Sequence, residues 1–422
     1  MKKIQKFIFL ILSGLCLIPA FCVYCETLSL DQCIKLVFEH KPDFRIAQHN
    51  MISADYTLKR AYAGYYLQLN LSSSYRYAGS NSSNPDNDYL ASLSLEQYIY
   101  DFGKSYRETL KAKENNVISL ASFEAKKQEM IYNVTQAYYS CLKAKHIKEL
   151  NSESFEKTQQ YLFRAKSFYE IGTKPRIDVT QAEVDVANAQ IADLKAQNSL
   201  KLARLTLVNA IGLKSGEYFE IEDKVETGPF DISLEECMKV AFSSRTDLKQ
   251  QEANLKIVQI DLDSARNFYN LSFSAKTNLS YSGQEFPLQN SWSWGAYMNF
   301  SLPIFNGFSK WLDIKKAEES LSSEIIKKEE IESSLRYEIE QDYLSVRELQ
   351  ESIEVAKKSL IKAQENLLLA EERYMSGVGS MIDLADARVS FKGAQVNFTQ
   401  SIYDYAIAIA KIKKSTGIRM IK

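Results

Sequence analysis

Glycine and proline are scarce in this chain, with 15 and 7 among its 422 residues. Both residues interrupt helices, so their scarcity favours long uninterrupted helices. The three histidines, His40, His49 and His146, do not lie near cysteines or acids at a spacing typical of metal sites. No nucleophile–base pattern stands out, and no apolar run after residue 25 approaches 18 residues. We therefore predict that the chain is not an enzyme and has no metal site, no cofactor site and no membrane-spanning helix.

A broad basic surface is missing as well, because 52 Lys and Arg residues are balanced by 53 Asp and Glu residues. The net charge of −1 argues against nucleic acid as a partner. Basic residues do cluster at the start, where three lysines precede the apolar stretch 7–17. This order is typical of a secretory signal peptide, which we place at residues 1–25. Lipid attachment to Cys22 or Cys25 is an alternative that the sequence leaves open.

Four stretches of about ten residues alternate apolar and polar side chains, which is the period of a β-strand. We predict strands at about 67–77 and 89–100, and again at 271–281 and 292–302. One face of each is apolar, the other is largely polar, and aromatic residues flank the ends, as in outer-membrane β-barrels. A two-sided hairpin packed on helices in a soluble protein is the alternative. Four strands cannot close a barrel, so membrane insertion would require several chains to pool their strands.

The chain contains an internal duplication of one sequence unit. Residues Ser29–Phe38 match Ser233–Phe242 at an offset of 204, and after the first pair of strands the offset becomes 205. A duplication over this length indicates a repeated structural unit. We place the first repeat at 26–215, a linker at 216–230 and the second repeat at 231–422.

Each repeat is predicted to contain a helix, two strands, a long helix, a turn and a last helix, in that order. The long helices carry apolar residues at coiled-coil spacing, as in the series from Met130 to Cys141. Roughly 68 helical residues span about 100 Å at 1.5 Å per residue. The first and last helices together have nearly the same length. We therefore expect two long rods per repeat, with strands at one end and the turn, at about 171–176 or 376–380, at the other.

The repeat openings, Leu28–Phe44 and Ile232–Leu248, resemble those of the TolC-type family of outer-membrane efflux and secretion channels. The turn patterns Tyr169-x-x-Gly172 and Tyr374-x-x-Gly377 also match, and the resemblance covers nearly all of the mature chain. It implies a mainly α fold with membrane β: a homotrimer whose 12 strands form one barrel, continued by a coiled-coil helical barrel in the periplasm. It also implies an outer-membrane exit duct that works with a periplasmic adaptor and an inner-membrane transporter.

The resemblance further implies a gate at the periplasmic end. Asp383 and Asp386 match acidic residues that ring the lumen in the family. Asp178 matches the acid of a link that holds the gate shut, and Tyr374 matches a gate tyrosine. Both assignments have structural alternatives, since Ser380-x-x-Asp383 is also a helix-start pattern and a tyrosine can simply pack between helices.

One gate residue of the family has no counterpart. The arginine that pairs with the gate acid is missing, because Gly379 and Ser380 occupy its region. Lys174 and Arg176, in the first turn, are candidate substitutes.

The two turns are also the predicted docking site for the adaptor, through the four residues Gly172, Thr173, Gly377 and Val378. They are expected at the ends of the rods farthest from the strands. A periplasmic coiled-coil adaptor or scaffolding protein of an envelope transport complex is the alternative function. Adaptors usually carry one central hairpin between β domains, whereas here strands lie between helices twice, which disfavours it.

Overall fold

The computed structural model of the chain describes residues 27–80, 83–213, 219–225, 228–267, 271–284, 292–302 and 304–418. The predicted signal peptide, with the two cysteines considered for lipid attachment, lies outside these residues, as do residues 216–218 and 226–227 of the predicted linker. No helix in the described part of the chain is both long enough and apolar enough to cross a membrane.

The first half of the chain runs from a short strand through helices and a hairpin to two long helices. Its elements are β1 (Thr27–Leu28), α1 (Leu30–His40), α2 (Pro42–Ala61), a 3-10 turn (Tyr62–Tyr65), β2 (Gln68–Ser80), β3 (Ser83–Tyr100), α3 (Lys104–Glu170) and α4 (Arg176–Ile211). The second half repeats the order of the helices and hairpin strands. Its elements are β4 (Glu220–Ile221), α5 (Leu234–Ser244), α6 (Thr246–Arg266), β5 (Ser272–Gly283), β6 (Trp292–Ser301), α7 (Ser309–Met375) and α8 (Met381–Thr416). β4 pairs in parallel with β1.

The first helix of each repeat is capped by a serine and broken after eleven residues. Ser29 Oγ accepts a hydrogen bond from Gln32 N at 3.3 Å, and Gln32 Oε1 accepts one from Ser29 N at 2.8 Å, a capping box. Pro42 begins α2 directly after Lys41, because proline fits the first position of a helix. Lys41 Nζ donates to Asn209 O at 2.7 Å, so the break also caps the end of α4.

The two 67-residue helices, α3 and α7, form the length of the molecule. At 1.5 Å per residue each is about 100 Å long. α2 packs on the strand-proximal part of α3 and α4 on the distal part, while α6 and α8 do the same for α7. α3 also contacts α6 and α8, which joins the repeats and leaves α4 and α7 on the two flanks.

A four-stranded antiparallel sheet in the order β2-β3-β5-β6 unites the two hairpins. Its register aligns one small polar side chain from each strand, Ser72, Ser92, Ser280 and Ser293. The neighbouring register position on each strand is apolar, and these four residues are Leu71, Leu93, Leu279 and Trp294. Because neighbouring residues of a strand point to opposite faces, the sheet has one serine-lined face and one apolar face. β2 and β6 form the outer edges of the described sheet.

Three apolar cores hold the helices together. The first surrounds Cys33 and Cys141, both fully buried, and burial raises the pKa of these thiols to about 12 and about 11. The second surrounds Cys237, the counterpart of Cys33. The third lies between the helical turns and contains Tyr374 and Leu384. This third core positions the candidate site.

Candidate gate at the helical turns

The α3–α4 turn and the α7–α8 turn meet at the end of the rods opposite the sheet. Each contains a glycine in the left-handed region, Gly172 at φ +80° and Gly377 at φ +83°. A Cβ at either position would meet nothing within 4 Å, so the backbone conformation, and not lack of space, requires glycine. Thr173 N donates to Phe168 O at 2.9 Å and closes the first turn.

Gly379 lies in a place where a side chain does not fit. A Cβ at Gly379 would lie 2.8 Å from Tyr374 N and 2.9 Å from Arg373 C. Gly379 N also donates to Arg373 O at 2.8 Å, so the second turn folds tightly back on the end of α7. No side chain fits there without moving backbone.

Lys174 is the cation that contacts the second turn. Its Nζ lies 3.1 Å from Gly379 O and 3.4 Å from Gly377 O, and it sits 5.1 Å from the centroid of the Tyr374 ring. A charged donor to carbonyl oxygens makes a strong hydrogen bond, and the aromatic face adds a cation–π contact. Lys174 therefore links the two turns within one chain.

Tyr374 lies beneath this link, and the charge of Asp178 acts on it. Tyr374 is 2% exposed and packs edge-on against Phe168 at 6.2 Å. Burial raises the pKa of Tyr374, and the negative charge of Asp178 raises it further. Among the described residues, the Tyr374 hydroxyl has no hydrogen-bond partner. A buried hydroxyl without a hydrogen-bond partner is costly.

Asp383 and Asp386 are both exposed on the first turns of α8. Residues three apart share one face of a helix, so the two carboxylates point to the same side. Ser380 Oγ accepts a hydrogen bond from Ile382 N at 3.0 Å and caps the helix. Asp383 thus also fits the structural role of an acid near a helix N-terminus.

The two turns together form the end of the rods, which we call the tip. The tip presents an exposed apolar surface. Val378, Ile171 and Ile177 are 77, 74 and 70% exposed. Thr173 is exposed beside them and donates its hydroxyl to Phe168 O at 2.9 Å. Exposed apolar side chains clustered at a tip are typical of a contact surface.

A polar network about two helical turns further from the tip escaped the sequence patterns. Tyr161 donates its hydroxyl to Glu371, while Arg388 donates to Thr158 and stacks 4.4 Å over the Tyr161 ring. Burial, with the hydrogen bond to Glu371, raises the pKa of Tyr161 to about 12, and burial lowers the pKa of Arg388. These side chains come from α3, α7 and α8, so no local spacing brings them together.

A family model described as outer membrane efflux protein matches residues 33–213 and again 238–418. The chain belongs to the outer membrane efflux protein family. The two matched segments, which cover most of the chain, correspond to the two structural repeats and confirm the predicted family and duplication. This family consists of transport ducts and not of enzymes, and its members lie in the outer membrane with their helices in the periplasm, as the sequence predicted.

Two characterised relatives are distant. This outer membrane efflux protein is 23% identical to the outer membrane protein TolC of Escherichia coli (strain K12) over 372 residues, 83% of this chain and 74% of TolC. It is 22% identical to nodulation protein T of Rhizobium leguminosarum bv. trifolii over 262 residues, 60% of this chain and 55% of that protein.

Solved structures confirm the predicted fold class. The CmeC outer membrane channel of Campylobacter jejuni superimposes with a TM-score of 0.81 at 19% identity, covering 92% of this chain and 85% of CmeC. The outer membrane protein VceC of Vibrio cholerae superimposes with a TM-score of 0.80 at 16% identity, covering 92 and 96%. The open MtrE outer membrane channel of Neisseria gonorrhoeae gives 0.76 at 20% identity, covering 92 and 88%.

Proposed function

We propose that three copies of this chain form an exit duct that passively conducts substrates delivered by an inner-membrane transporter and a periplasmic adaptor. The observation that carries the proposal is the sheet, whose serine-lined face and apolar face suit a wall between water and lipid. Its outer strands β2 and β6 would leave open edges in lipid unless further copies pair with them. Three copies of four strands supply a closed barrel of 12.

The helices offer matching surfaces for the neighbouring copies. Apolar residues recur every seven positions on the flanking helices and are 50 to 70% exposed: Ile177, Val184 and Ile191 on α4, and Ile361, Leu368 and Met375 on α7. Apolar heptads exposed on a single chain are coiled-coil seams that need a partner. Because α4 and α7 lie on opposite flanks, one copy's α4 would meet the next copy's α7 and close a ring.

The tip is the proposed gate. Three copies would place six carboxylates, from Asp383 and Asp386, around its opening, which favours cations over anions. Lys174 would hold the second turn through its carbonyl oxygens, a different contact from the acid–arginine pair that the family resemblance implies. Tyr374 lies against this link and would rearrange when it opens, and the Asp178 charge acts on its hydroxyl.

The same tip is the proposed adaptor-docking surface, through Gly172, Thr173, Gly377 and Val378. Substituting the two glycines would strain the turns, because both have positive φ. Val378→Glu is therefore a sharper test, since this exposed side chain can change without altering the turn. It should abolish export while leaving the trimer assembled, whereas Gln159→Glu, which adds the same charge at an exposed polar site within α3, should leave export intact. Equal export by both variants would contradict the docking assignment.

Fractionation, cross-linking and a deletion strain test the function as a whole. The mature protein should sediment with outer membranes, cross-link as a trimer and restore resistance to dyes and antibiotics, or secretion of a protein, in a strain that lacks it. A water-soluble monomer would overturn the duct and favour the periplasmic adaptor or scaffold. We do not favour that alternative, because a scaffold does not need the paired polar and apolar faces of the sheet.

A further inference from the structure

The level where helices meet strands has an unusual charge. α2, α3, α6 and α7 each begin or end within a few residues of the sheet. We give the name collar to the last turns of α2 and α6, the first turns of α3 and α7, and the described residues that join these helices to the strands. Its cations are Lys59, Arg60, Lys104, Arg107, Arg266 and Lys310.

Only two acids lie within the collar in the described part of the chain, Asp101 and Asp263, while Glu108 and Asp313 directly follow it. Asp101 already caps α3, since its carboxylate accepts hydrogen bonds from Gly103 N at 3.1 Å and Ser105 N at 2.8 Å. The collar is thus clearly positive in a chain whose net charge is −1. Over the chain as a whole acidic residues balance the basic ones, whereas in the collar the basic residues are in excess.

Some collar cations have acidic neighbours, but these contacts leave them accessible. Lys59 pairs with Asp55 at 2.7 Å and Arg266 with Glu318 at 3.3 Å, yet the two basic side chains remain 66 and 57% exposed. Exposed ion pairs of this kind are weak and exchange readily with other anions. Arg60 and Lys104 are also exposed.

Exposed aromatic rings share the level with the cations. Their exposed fractions lie between 47 and 74%, for Tyr62, Tyr65, Tyr66, Tyr106, Phe305, Phe308 and Trp311. Tyrosine and tryptophan are enriched where a membrane meets water, at the depth of the lipid head groups. Cations beside such rings lie where they can reach lipid phosphates.

We propose that the collar binds the anionic head groups of the phospholipid leaflet that faces the helices. This inference rests on the proposed duct, because the strands must cross the membrane to place the collar at its surface. The ligand chemistry is a lipid phosphate held by ammonium and guanidinium groups. The two repeats should contribute unequally. At the repeat offset, Lys59 and Lys104 correspond to Asp263 and Ser309, so the first repeat carries more of the charge.

The test compares the full-length protein in nanodiscs of phosphatidylcholine alone with nanodiscs containing equal parts phosphatidylcholine and phosphatidylglycerol. Thermal unfolding is followed by the helical circular dichroism signal. The wild type should unfold at a higher temperature in the anionic discs, and added salt should shrink the difference. The triple variant Lys59→Gln, Arg60→Gln and Lys104→Gln should lose most of this difference.

A matched control neutralises three exposed lysines elsewhere on the helices, Lys157→Gln, Lys327→Gln and Lys362→Gln. This variant should keep the wild-type lipid dependence. Soluble glycerol phosphate, added to the phosphatidylcholine discs, should not reproduce the effect, since the collar is proposed to bind a lipid surface. An unchanged lipid dependence in the collar variant, or none in the wild type, would overturn the collar proposal alone. Failure of the wild type to enter either disc would overturn the duct as well.

Discussion

An ion pair with a buried carboxylate, present in only one repeat, gives a quantitative test of the structure. Asp342 in α7 is 2% exposed, and Lys411 Nζ in α8 lies 2.8 Å from its Oδ1. Among the described residues, neither Asp342 oxygen accepts an aligned hydrogen bond, so the lysine charge is the main compensation for burial. At the repeat offset of 205, the first repeat has Ala137 and Thr206 at these positions. The uncharged pair is therefore known to fit an equivalent helix pair.

The two single variants should differ in cost. Lys411→Thr leaves a carboxylate buried without its counter-charge, for which about 3 to 5 kcal/mol is typical. Because the Lys411 side chain is 48% exposed, water can reach the vacated place, and we expect a cost near the lower end. Asp342→Ala leaves a lysine that extends into solvent, so about 1 kcal/mol is lost. The double variant recreates the pair of the first repeat and should be close to the wild type.

Denaturant unfolding of the purified protein in detergent, followed by circular dichroism, measures these differences. The midpoints should fall in the order wild type and double variant, then Asp342→Ala, then Lys411→Thr. The ranking does not require a fully reversible transition, and the double variant controls for loss of volume. If the double variant were the least stable, or if both single variants were equal, the compensation of Asp342 by Lys411 would be refuted.

Three further outcomes follow from the tip and the α5–α6 break. Lys174→Met should loosen the gate and raise single-channel conductance in planar bilayers, whereas an unchanged conductance would exclude the link. Asp383→Asn with Asp386→Asn should reduce cation selectivity, measured as a smaller reversal potential in a salt gradient. Burial alone would raise the pKa of Asp247, but hydrogen bonds and charge from Arg245 outweigh it and lower that pKa. The stability that Asp247 contributes is therefore present above about pH 4 and is lost as the pH falls through its lowered pKa. On acidification, the melting temperature of the Asp247→Asn variant should therefore fall less than that of the wild type.

Sequence periodicity predicted most of the fold. Alternation placed strands at about 67–77 and 89–100, and the structure has them at Gln68–Ser80 and Ser83–Tyr100. The strand ends differ because loop residues such as Asn87 continue the ladder, pairing with Tyr77, although they lack the apolar alternation. The hydrogen-bonded strands are therefore longer than the stretches in which apolar and polar side chains alternate.

The candidate site was less predictable for a physical reason. The two turns and their glycines could be read from local sequence, because a left-handed backbone favours glycine at one position. The contact of Lys174 with Gly379 O joins residues 205 apart, and the sequence offered Arg176 as an equal candidate. Only packing of the two turns decides which cation reaches the carbonyls. The Arg388 network is hidden for the same reason, since its members come from three helices.

The duplication supplies an internal comparison that a single repeat could not. The two repeats share one backbone arrangement, but at some equivalent positions one repeat carries a charged side chain that the other lacks. The second repeat alone buries Asp342 against Lys411, and its Arg245 donates to Ser415 O at 3.0 Å and pairs with Glu338 as well as Asp247. Lys41, in the equivalent place, makes only the simpler contact with Asn209 O that the structure describes. Because the two repeats have the same fold, these differences lie in the side chains alone. Substitutions that exchange them between repeats should therefore change stability and gating without changing the architecture.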